Sequence, residues 1–320
     1  MKARSVVALS GGIGGAKLAL GLYRTLPRRT FSLIVNTADD FDYLGLRICP
    51  DLDTTLYTLA GVPNPDTGWG RSDETWTFMT VLATLGGETW FRVGDGDLAL
   101  HVERTRRLAA GEPLSAIIED VARRFQIAAA VIPATDDPVR TRVVTPGGDL
   151  AFQDYFVRQR CEPRVESLRF DGAGAASPAV AAKRALESAS LAAVIICPSN
   201  PYLSIDPILA VPGMRTLLQT SAAPVVAVTP LIDGRAVKGP TAKIMGELGI
   251  EASPLSVAQH YRGLIDGFVL DVRDRALKPR FDVPVYASDT FMATVSDRER
   301  LAREVFEFAL SLGRSRLRIS

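Results

Sequence analysis

Histidine and cysteine are scarce in this 320-residue chain, which holds only His101 and His260 with Cys49, Cys161 and Cys197. The cysteines lie far apart and form no Cys-x-x-Cys pair, which excludes a disulfide framework and a structural zinc site. Two histidines cannot build a multi-histidine metal centre. Aromatic residues make up only 7% of the chain against 26 glycines, so the core is expected to be aliphatic and the backbone to turn tightly in many places. An excess of one charge is missing too: 37 Lys and Arg against 36 Asp and Glu leave a net charge of +1. Nucleic acid and anionic membrane surfaces select a strong basic bias, so neither partner is expected. The apolar stretch around residues 189–197 falls far short of the ~20 residues of a membrane span. The opening Ser5-Val6-Val7-Ala8-Leu9 is cut short by glycines before it matches a secretory signal, and a cytoplasmic protein is the expectation. With 47% hydrophobic and 23% charged residues, the chain reads as one large globular domain or two closely joined ones.

What is present is an alternation of short apolar runs with helical patterns. Residues 5–9, 31–35, 193–197, 225–228 and 267–272 read as strands, several apolar throughout, as parallel strands covered on both faces are. Helical patterns follow at 15–25, 207–220, 241–249 and 298–312. This order predicts an α/β fold, a Rossmann-like three-layer sandwich with a parallel central sheet. The middle departs from the rhythm. Residues 72–125 are mostly helical in pattern, with Ser72 or Asp73 and Ser115 as candidate caps, and 141–170 are strand-like with a hairpin turn at Thr145-Pro146-Gly147-Gly148. The expected division is therefore a core of residues 1–69 and 171–320, with 70–170 inserted as an α+β subdomain or lid.

Six segments fall where ligands bind in open α/β sheets, beyond the carboxyl ends of the strands. Ser10-Gly11-Gly12-Ile13-Gly14-Gly15-Ala16-Lys17 follows the first strand. Its glycines let the backbone approach a ligand, and the N–H groups opening the next helix suit phosphate. It is not a Walker A loop, because Ala16 and Leu18 flank Lys17 where glycine and Ser or Thr are needed, and it is not a complete dinucleotide fingerprint, which needs glycine where Lys17 stands. Asn36-Thr37-Ala38-Asp39-Asp40 follows the second strand, and acidic residues beside a phosphate loop suit magnesium. Cys49-Pro50-Asp51-Leu52-Asp53 offers two carboxylates at a helix start, either of which could cap the helix, hold a metal or meet a substrate hydroxyl. Arg92-Val93-Gly94-Asp95-Gly96-Asp97 precedes a helix bearing His101 and Arg104; Arg92 presents a planar fork of donors suited to carbonyl or phosphate oxygens. Pro198-Ser199-Asn200-Pro201 and Gly239-Pro240-Thr241-Ala242-Lys243 complete the set, and several anion sites on one edge suggest a diphosphate ligand.

Read in order with Asp136-Asp137-Pro138-Val139 and Phe152-Gln153-Asp154, these segments resemble the 2-phospho-L-lactate transferase family of coenzyme F420 biosynthesis, the CofD/FbiA type, over nearly the whole chain. The resemblance implies a Rossmann-like core with an inserted subdomain, a homodimer and magnesium dependence. It implies transfer of a phospho-organic-acid group from a guanosine diphosphate-linked donor to the ribityl hydroxyl of the deazaflavin Fo, with release of GMP. By the same resemblance Asp53 and Arg92 contact Fo, while Gly11, Gly12, Gly14, Gly15, Lys17, Ser199, Asn200 and Lys243 fall where nucleotide and phosphates are held. Asp39, Asp51 and Asp53 are the candidate metal ligands, and Asp51 and Asp53 the candidate catalytic carboxylates. Ile13-Gly14-Gly15-Ala16 departs from the Thr-Gly-Thr-Pro of archaeal members, and Tyr202-Leu203 replaces smaller polar residues. The donor's acid therefore stays open between phospholactate, phosphoenolpyruvate and phosphoglycerate forms.

No Ser-His or Cys-His pair stands out, so the expected chemistry is direct in-line substitution at phosphorus, governed by positioning and charge neutralisation. On this reading Asp53→Asn leaves a folded but nearly inactive protein. The rival expectation is a non-catalytic nucleotide-sugar-binding regulator of the gluconeogenesis-factor family, which shares the glycine loop and Ala-Asp-Asp but resembles Pro-Gly-Asp-x-Arg where this chain has Pro50-Asp51-Leu52-Asp53. An NAD-dependent oxidoreductase is weaker still, because its glycine fingerprint is incomplete.

Overall fold

The structure is a computed structural model that describes residues 4–316 apart from Lys238. Seven strands form the central sheet: β1 (Ser5–Ser10), β2 (Phe31–Val35), β3 (Ala130–Pro133), β4 (Leu191–Ile196), β5 (Val225–Val228), β6 (Gly267–Asp271) and β7 (Val285–Ser288). They lie in the order β7-β6-β5-β4-β1-β2-β3, every pair parallel. The continuous apolar runs have their cause here. Along β1 and β4, Val7, Leu9, Val194 and Ile196 enter one core while Val6, Ala8, Ala193 and Ile195 enter the other. Both faces of each strand are thus buried, which removes the alternation a half-exposed strand would show.

One face is covered by α1 (Gly12–Thr25), α2 (Pro50–Ala60), α5 (Leu114–Arg124) and the C-terminal helix Val295–Arg316, through residues such as Leu18, Leu56, Ile117 and Val305. The other is covered by shorter helices that supply Ala182, Ile208, Leu218, Ile244 and Val257. The expected helix over 207–220 is instead two short helices, Asp206–Leu209 and Met214–Gln219, separated at Pro212-Gly213, where Gly213 takes φ +88°. Helix α1 presses on the C-terminal helix at Gly21, where a Cβ would stand 2.0 Å from the Arg298 carbonyl oxygen. Gly21→Ala must separate the two backbones, and is expected to cost roughly 1–3 kcal/mol, read as a lower urea midpoint.

Residues 70–170 are not a single insertion, contrary to the sequence expectation. Strand β3 pairs with β2 from Ser32–Ala130 to Val35–Pro133 and forms the sheet edge, and α5 packs on the same core as α1. Val131, Ile132, Ile117 and Ile118 carry too much apolar surface to stay in a peripheral lid. Two units remain outside the layers. One is helical, with α3 (Thr77–Thr84) and α4 (Asp95–Ala109). The other is a three-stranded antiparallel sheet of Arg140–Thr145, Gly148–Ala151 and Ser167–Asp171, turning at Thr145-Pro146-Gly147-Gly148 as the sequence predicts.

The caps of the helical unit come from afar rather than from Ser72 or Asp73. The Asp95 carboxylate accepts from the N–H groups of Thr77 and Phe78 at the start of α3. Glu74, in turn, accepts from Gly96 and Asp97 at the start of α4. Ser115 lies inside the first turn of α5, and Asp136 accepts from its N–H and hydroxyl. This reciprocal capping fixes where α4 begins, and with it the direction in which Asp97 points. No helix among the described residues is long and apolar enough to cross a membrane.

Candidate active site

The chain leaves β1 toward β2 on one side of the sheet and β4 toward β5 on the other, so the β1–β4 boundary is the topological switch point, where such sheets bind ligands. A cavity of about 690 Å³ opens there. It is lined by the segments after β1, β2, β4 and β5 and by six aromatic rings, Tyr57, Trp69, Trp90, Phe91, Phe152 and Phe156.

No loop separates β1 from its helix. Gly11 is extended at φ −151°, and α1 starts at Gly12, three residues earlier than the sequence suggests. Three of the glycines are required by close packing, Gly14 against backbone and Gly11 and Gly15 against side chains. A Cβ on Gly14 would stand 2.5 Å from the Pro198 carbonyl, and one on Gly15 would fall 2.2 Å from the Ser10 hydroxyl and 2.4 Å from that of Ser199. On Gly11 it would meet Ser204 at 2.6 Å and Asp51 at 2.7 Å. The Gly11 N–H donates to Ser199 Oγ and the Gly12 N–H to Asp51 Oδ1, at 3.2 and 2.7 Å. Asn200 Oδ1 accepts from Tyr202 and Leu203 N–H, and its Nδ2 has no partner among the described residues.

Asp39 and Asp51 form an acidic pair at the cavity wall. Asp51 accepts from Gly12 N–H and from Asn36 Nδ2 at 3.0 Å, and Asp39 accepts from Thr141 Oγ1 at 3.1 Å. Burial raises the Asp51 carboxyl to about 6 against these hydrogen bonds. Burial first, and then the Asp51 charge, lift Asp39 well above its ordinary value. Asp40 points elsewhere: burial raises it to about 7, opposed by Cys49, Arg140 and Arg104, and it does not line the cavity.

A second polar group lies in the seam between α2 and α4. On α2, Asp53 and Tyr57 are one turn apart; on α4, Asp97, His101 and Arg104 follow at i, i+4 and i+7, a single face. Arg104 is fully buried and grips both oxygens of Asp53, at 2.6 and 2.8 Å. It also donates to the Arg47 carbonyl and to His101 Nδ1, at 3.2 and 2.8 Å. Tyr57 donates to Asp97 Oδ1 at 2.5 Å. Burial opposes the Asp97 charge, but His101, Tyr57 and Arg104 outweigh it and hold that carboxyl below its ordinary value.

Of the residues singled out by sequence, Gly11, Gly12, Gly14, Lys17, Asp39, Asp51, Asp53, Arg92, Ser199 and Asn200 line this one cavity. Lys17 donates from Nζ to the Met292 carbonyl at 3.1 Å, and Arg92 lies over the Trp76 ring at 4.0 Å. Gly15 and Lys243 do not belong to the lining. Gly15 is packed between two serines, and Lys243 is turned away to Glu247 Oε1 and the Pro163 carbonyl, at 2.6 and 3.0 Å. Asp53 departs from the expected metal set. Asp53, Asp97 and His101 place ligand atoms within 4.8 Å of one another, but the guanidinium already covers both Asp53 oxygens and repels a second cation. Asp97 and Arg104 carry no assigned role in the sequence reading. The signal for them is the polar 97/101/104 stripe, where a packed helix would place apolar residues.

A family model described as "2-phospho-L-lactate transferase CofD" matches residues 6–303. The chain belongs to the 2-phospho-L-lactate transferase CofD family. A phosphoenolpyruvate transferase of Streptomyces griseus is 38% identical over 313 residues, covering 95% of this chain and 98% of that protein. Its counterpart in Streptomyces coelicolor is 39% identical with the same coverage, and that of Mycobacterium tuberculosis is 38% identical over 296 residues, covering 85% and 89%. The CofD-type chain is thus a transferase, and the expectation of a binding-only regulator is set aside. Two crystal structures of BH3568 from Bacillus halodurans, a UPF0052 family member, share the fold. Their TM-scores are 0.62 and 0.55 at 15% and 17% identity, covering 95% and 97% of this chain and 99% and 100% of theirs.

Proposed function

We propose that this CofD-family transferase acts in coenzyme F420 biosynthesis, moving a phosphoenolpyruvate-derived group from a guanosine diphosphate-linked donor to the deazaflavin Fo, with GMP as the second product. The observation that carries the reading is the lining of a single cavity, which combines the start of α1, Lys17, Ser199 and Asn200 with six aromatic rings. Helix N–H groups and a lysine suit a diphosphate, and the aromatic rings suit a tricyclic ring. The names of the relatives, at 38–39% identity, favour phosphoenolpyruvate over the other two acids.

In the reaction the primary hydroxyl oxygen of Fo bonds to the phosphorus carrying the enolpyruvyl group. The bond from that phosphorus to the bridging oxygen breaks, GMP departs with that oxygen, and the hydroxyl proton passes to a basic group or water. Gly11 and Gly12 N–H are committed to Ser199 and Asp51, which leaves the first-turn N–H groups of Ile13 and Gly14 to meet the diphosphate. Asp39 and Asp51 fit a magnesium ion: their oxygens are hard donors, and two buried carboxylates in mutual repulsion need a cation. When bound, that ion supplies neutralisation of diphosphate charge. Asp53 is assigned to holding Arg104 and the face of α4, with Arg92 at the cavity rim near the ring. Homodimerisation is part of the proposal, on the family resemblance alone.

The test is a product assay. Fo is incubated separately with guanosine diphosphate-linked phosphoenolpyruvate, phospholactate and phosphoglycerate, with mass spectrometry of the deazaflavin product. The enolpyruvyl donor should give the fastest conversion, with GMP in equal amount. No conversion with any of the three defeats the reading.

A further inference from the structure

We propose that His101 and Asp97 together read an amide-type edge on the acceptor ring, a C=O beside an N–H, as the pyrimidinedione ring of a deazaflavin presents. This rests on the deazaflavin reading above and assigns the residues that set its ring specificity.

A guanidinium only donates. Arg104, 2.8 Å from His101 Nδ1, therefore requires that nitrogen to accept, and the ring proton of the neutral imidazole stands on Nε2. An imidazolium, or the other tautomer, would set two donors against each other. Arg104 is itself held by both oxygens of Asp53, so the tautomer is fixed by the fold. The resulting Nε2–H belongs to a residue that lines the cavity and is 1% exposed, and among the described residues it finds no hydrogen-bond partner. Buried donors of that kind are rare in folded proteins and call for an acceptor.

The neighbouring group is a fixed acceptor. Asp97 Oδ1 lies 3.6 Å from His101 Nε2, too far for a good hydrogen bond, and receives the Tyr57 hydroxyl. A donor and an acceptor side by side are complementary to an acceptor and a donor side by side. An ionised phosphate or carboxylate offers acceptors only and would be repelled by Asp97. A lone alcohol answers both groups less well than a rigid edge. Tyr57, Trp90 and Phe91 line the same cavity and provide flat apolar surface for a ring bearing that edge.

The test uses ligand and protein changes in parallel. Fo and its N3-methyl derivative, in which the ring N–H is blocked, are titrated into the wild-type protein by deazaflavin fluorescence. Blocking the N–H should weaken binding roughly tenfold to a hundredfold, because Asp97 loses its donor and the methyl group displaces the edge from His101. In His101→Leu and Asp97→Asn, checked for folding by circular dichroism, the gap between the two ligands should shrink to about threefold or less. The KM for Fo should rise while that for the guanosine diphosphate-linked donor stays constant, a split that a general loss of structure would not give. Equal binding of both ligands by the wild type overturns the inference without need of any variant, as does an undiminished gap in folded variants. If Fo is bound and transferred yet methylation is tolerated, only this inference falls. If Fo is not bound at all, the functional reading falls with it.

Discussion

Arg104→Met is expected to destabilise the protein by roughly 3–5 kcal/mol, the range for breaking a buried ion pair by removing one partner. Arg104 has no solvent-exposed surface, and four acceptors converge on it: both Asp53 oxygens, the Arg47 carbonyl and His101 Nδ1. Methionine fills much of the volume but leaves the Asp53 carboxylate, 5% exposed, without a counter-charge. Asp40 suffers as well, since Arg104 is one of the charges opposing the burial that lifts it to about 7. The deficit comes from an uncompensated charge rather than from a cavity, so a second substitution should repair it. Arg104→Met combined with Asp53→Asn should recover most of the loss, giving a strongly favourable coupling in a double-mutant cycle by urea unfolding. The single variant Asp53→Asn, which sequence reading alone takes as folded and inactive, should itself lose stability because it strands part of the guanidinium. An unchanged midpoint for Arg104→Met would mean that water or another group compensates Asp53, and the fixed His101 tautomer would lose its basis.

The sheet was legible because parallel strands buried on both faces tend to become apolar words, and β1, β2, β4, β5 and β6 were read as strands, several of them apolar throughout. Strand β3 and α5 were assigned to the lid because they follow a long helical stretch, where chain order no longer tells which layer a segment joins. Part of the site was legible in a different manner. Gly11–Gly15, Asp39, Asp51 and Ser199-Asn200 each terminate a strand or open a helix, and strand ends converge in any parallel sheet. Lys243 was misplaced since its neighbour one turn on, Glu247, competes for the amine at 2.6 Å. Gly15 was read as a ligand contact when its lost side chain makes room for Ser10 and Ser199. The α2–α4 seam stayed hidden for a deeper reason. A polar stripe at 97, 101 and 104 has meaning only opposite Asp53 and Tyr57, and that pairing is set by caps at Glu74 and Asp95 which cross between helices. Contacts of that kind carry no local pattern.

Asp39→Asn is expected to lower turnover by about two to three orders of magnitude while leaving the metal-free protein as stable as the wild type or more so. The two effects have one cause. A carboxyl whose pKa is raised on folding binds its proton more tightly when folded, so ionising it costs stability as pH rises above the unfolded value. Asp39 is raised by burial and then by Asp51. At neutral pH asparagine removes that cost and keeps an oxygen for the Thr141 hydroxyl, which donates to Asp39 Oδ1. The stability gain should vanish at about pH 3.8 and below, where the unfolded carboxyl is itself half-protonated or more. On the proposed reading, a magnesium ion held by Asp39 and Asp51 would reverse the balance. It would turn their repulsion into two attractions, and at a hundred times its dissociation constant would stabilise the folded state by about 2.7 kcal/mol. Saturating Mg²⁺ should therefore raise the melting temperature of the wild type and leave that of Asp39→Asn nearly unmoved, although the variant starts no lower. The catalytic loss follows from several kcal/mol of charge stabilisation forgone on the diphosphate. A wild type whose melting temperature ignores Mg²⁺, or a variant with full turnover, would show that the acidic pair is kept for something other than a cation. The rim of the sheet would then have to neutralise the diphosphate with Lys17 and helix N–H groups alone.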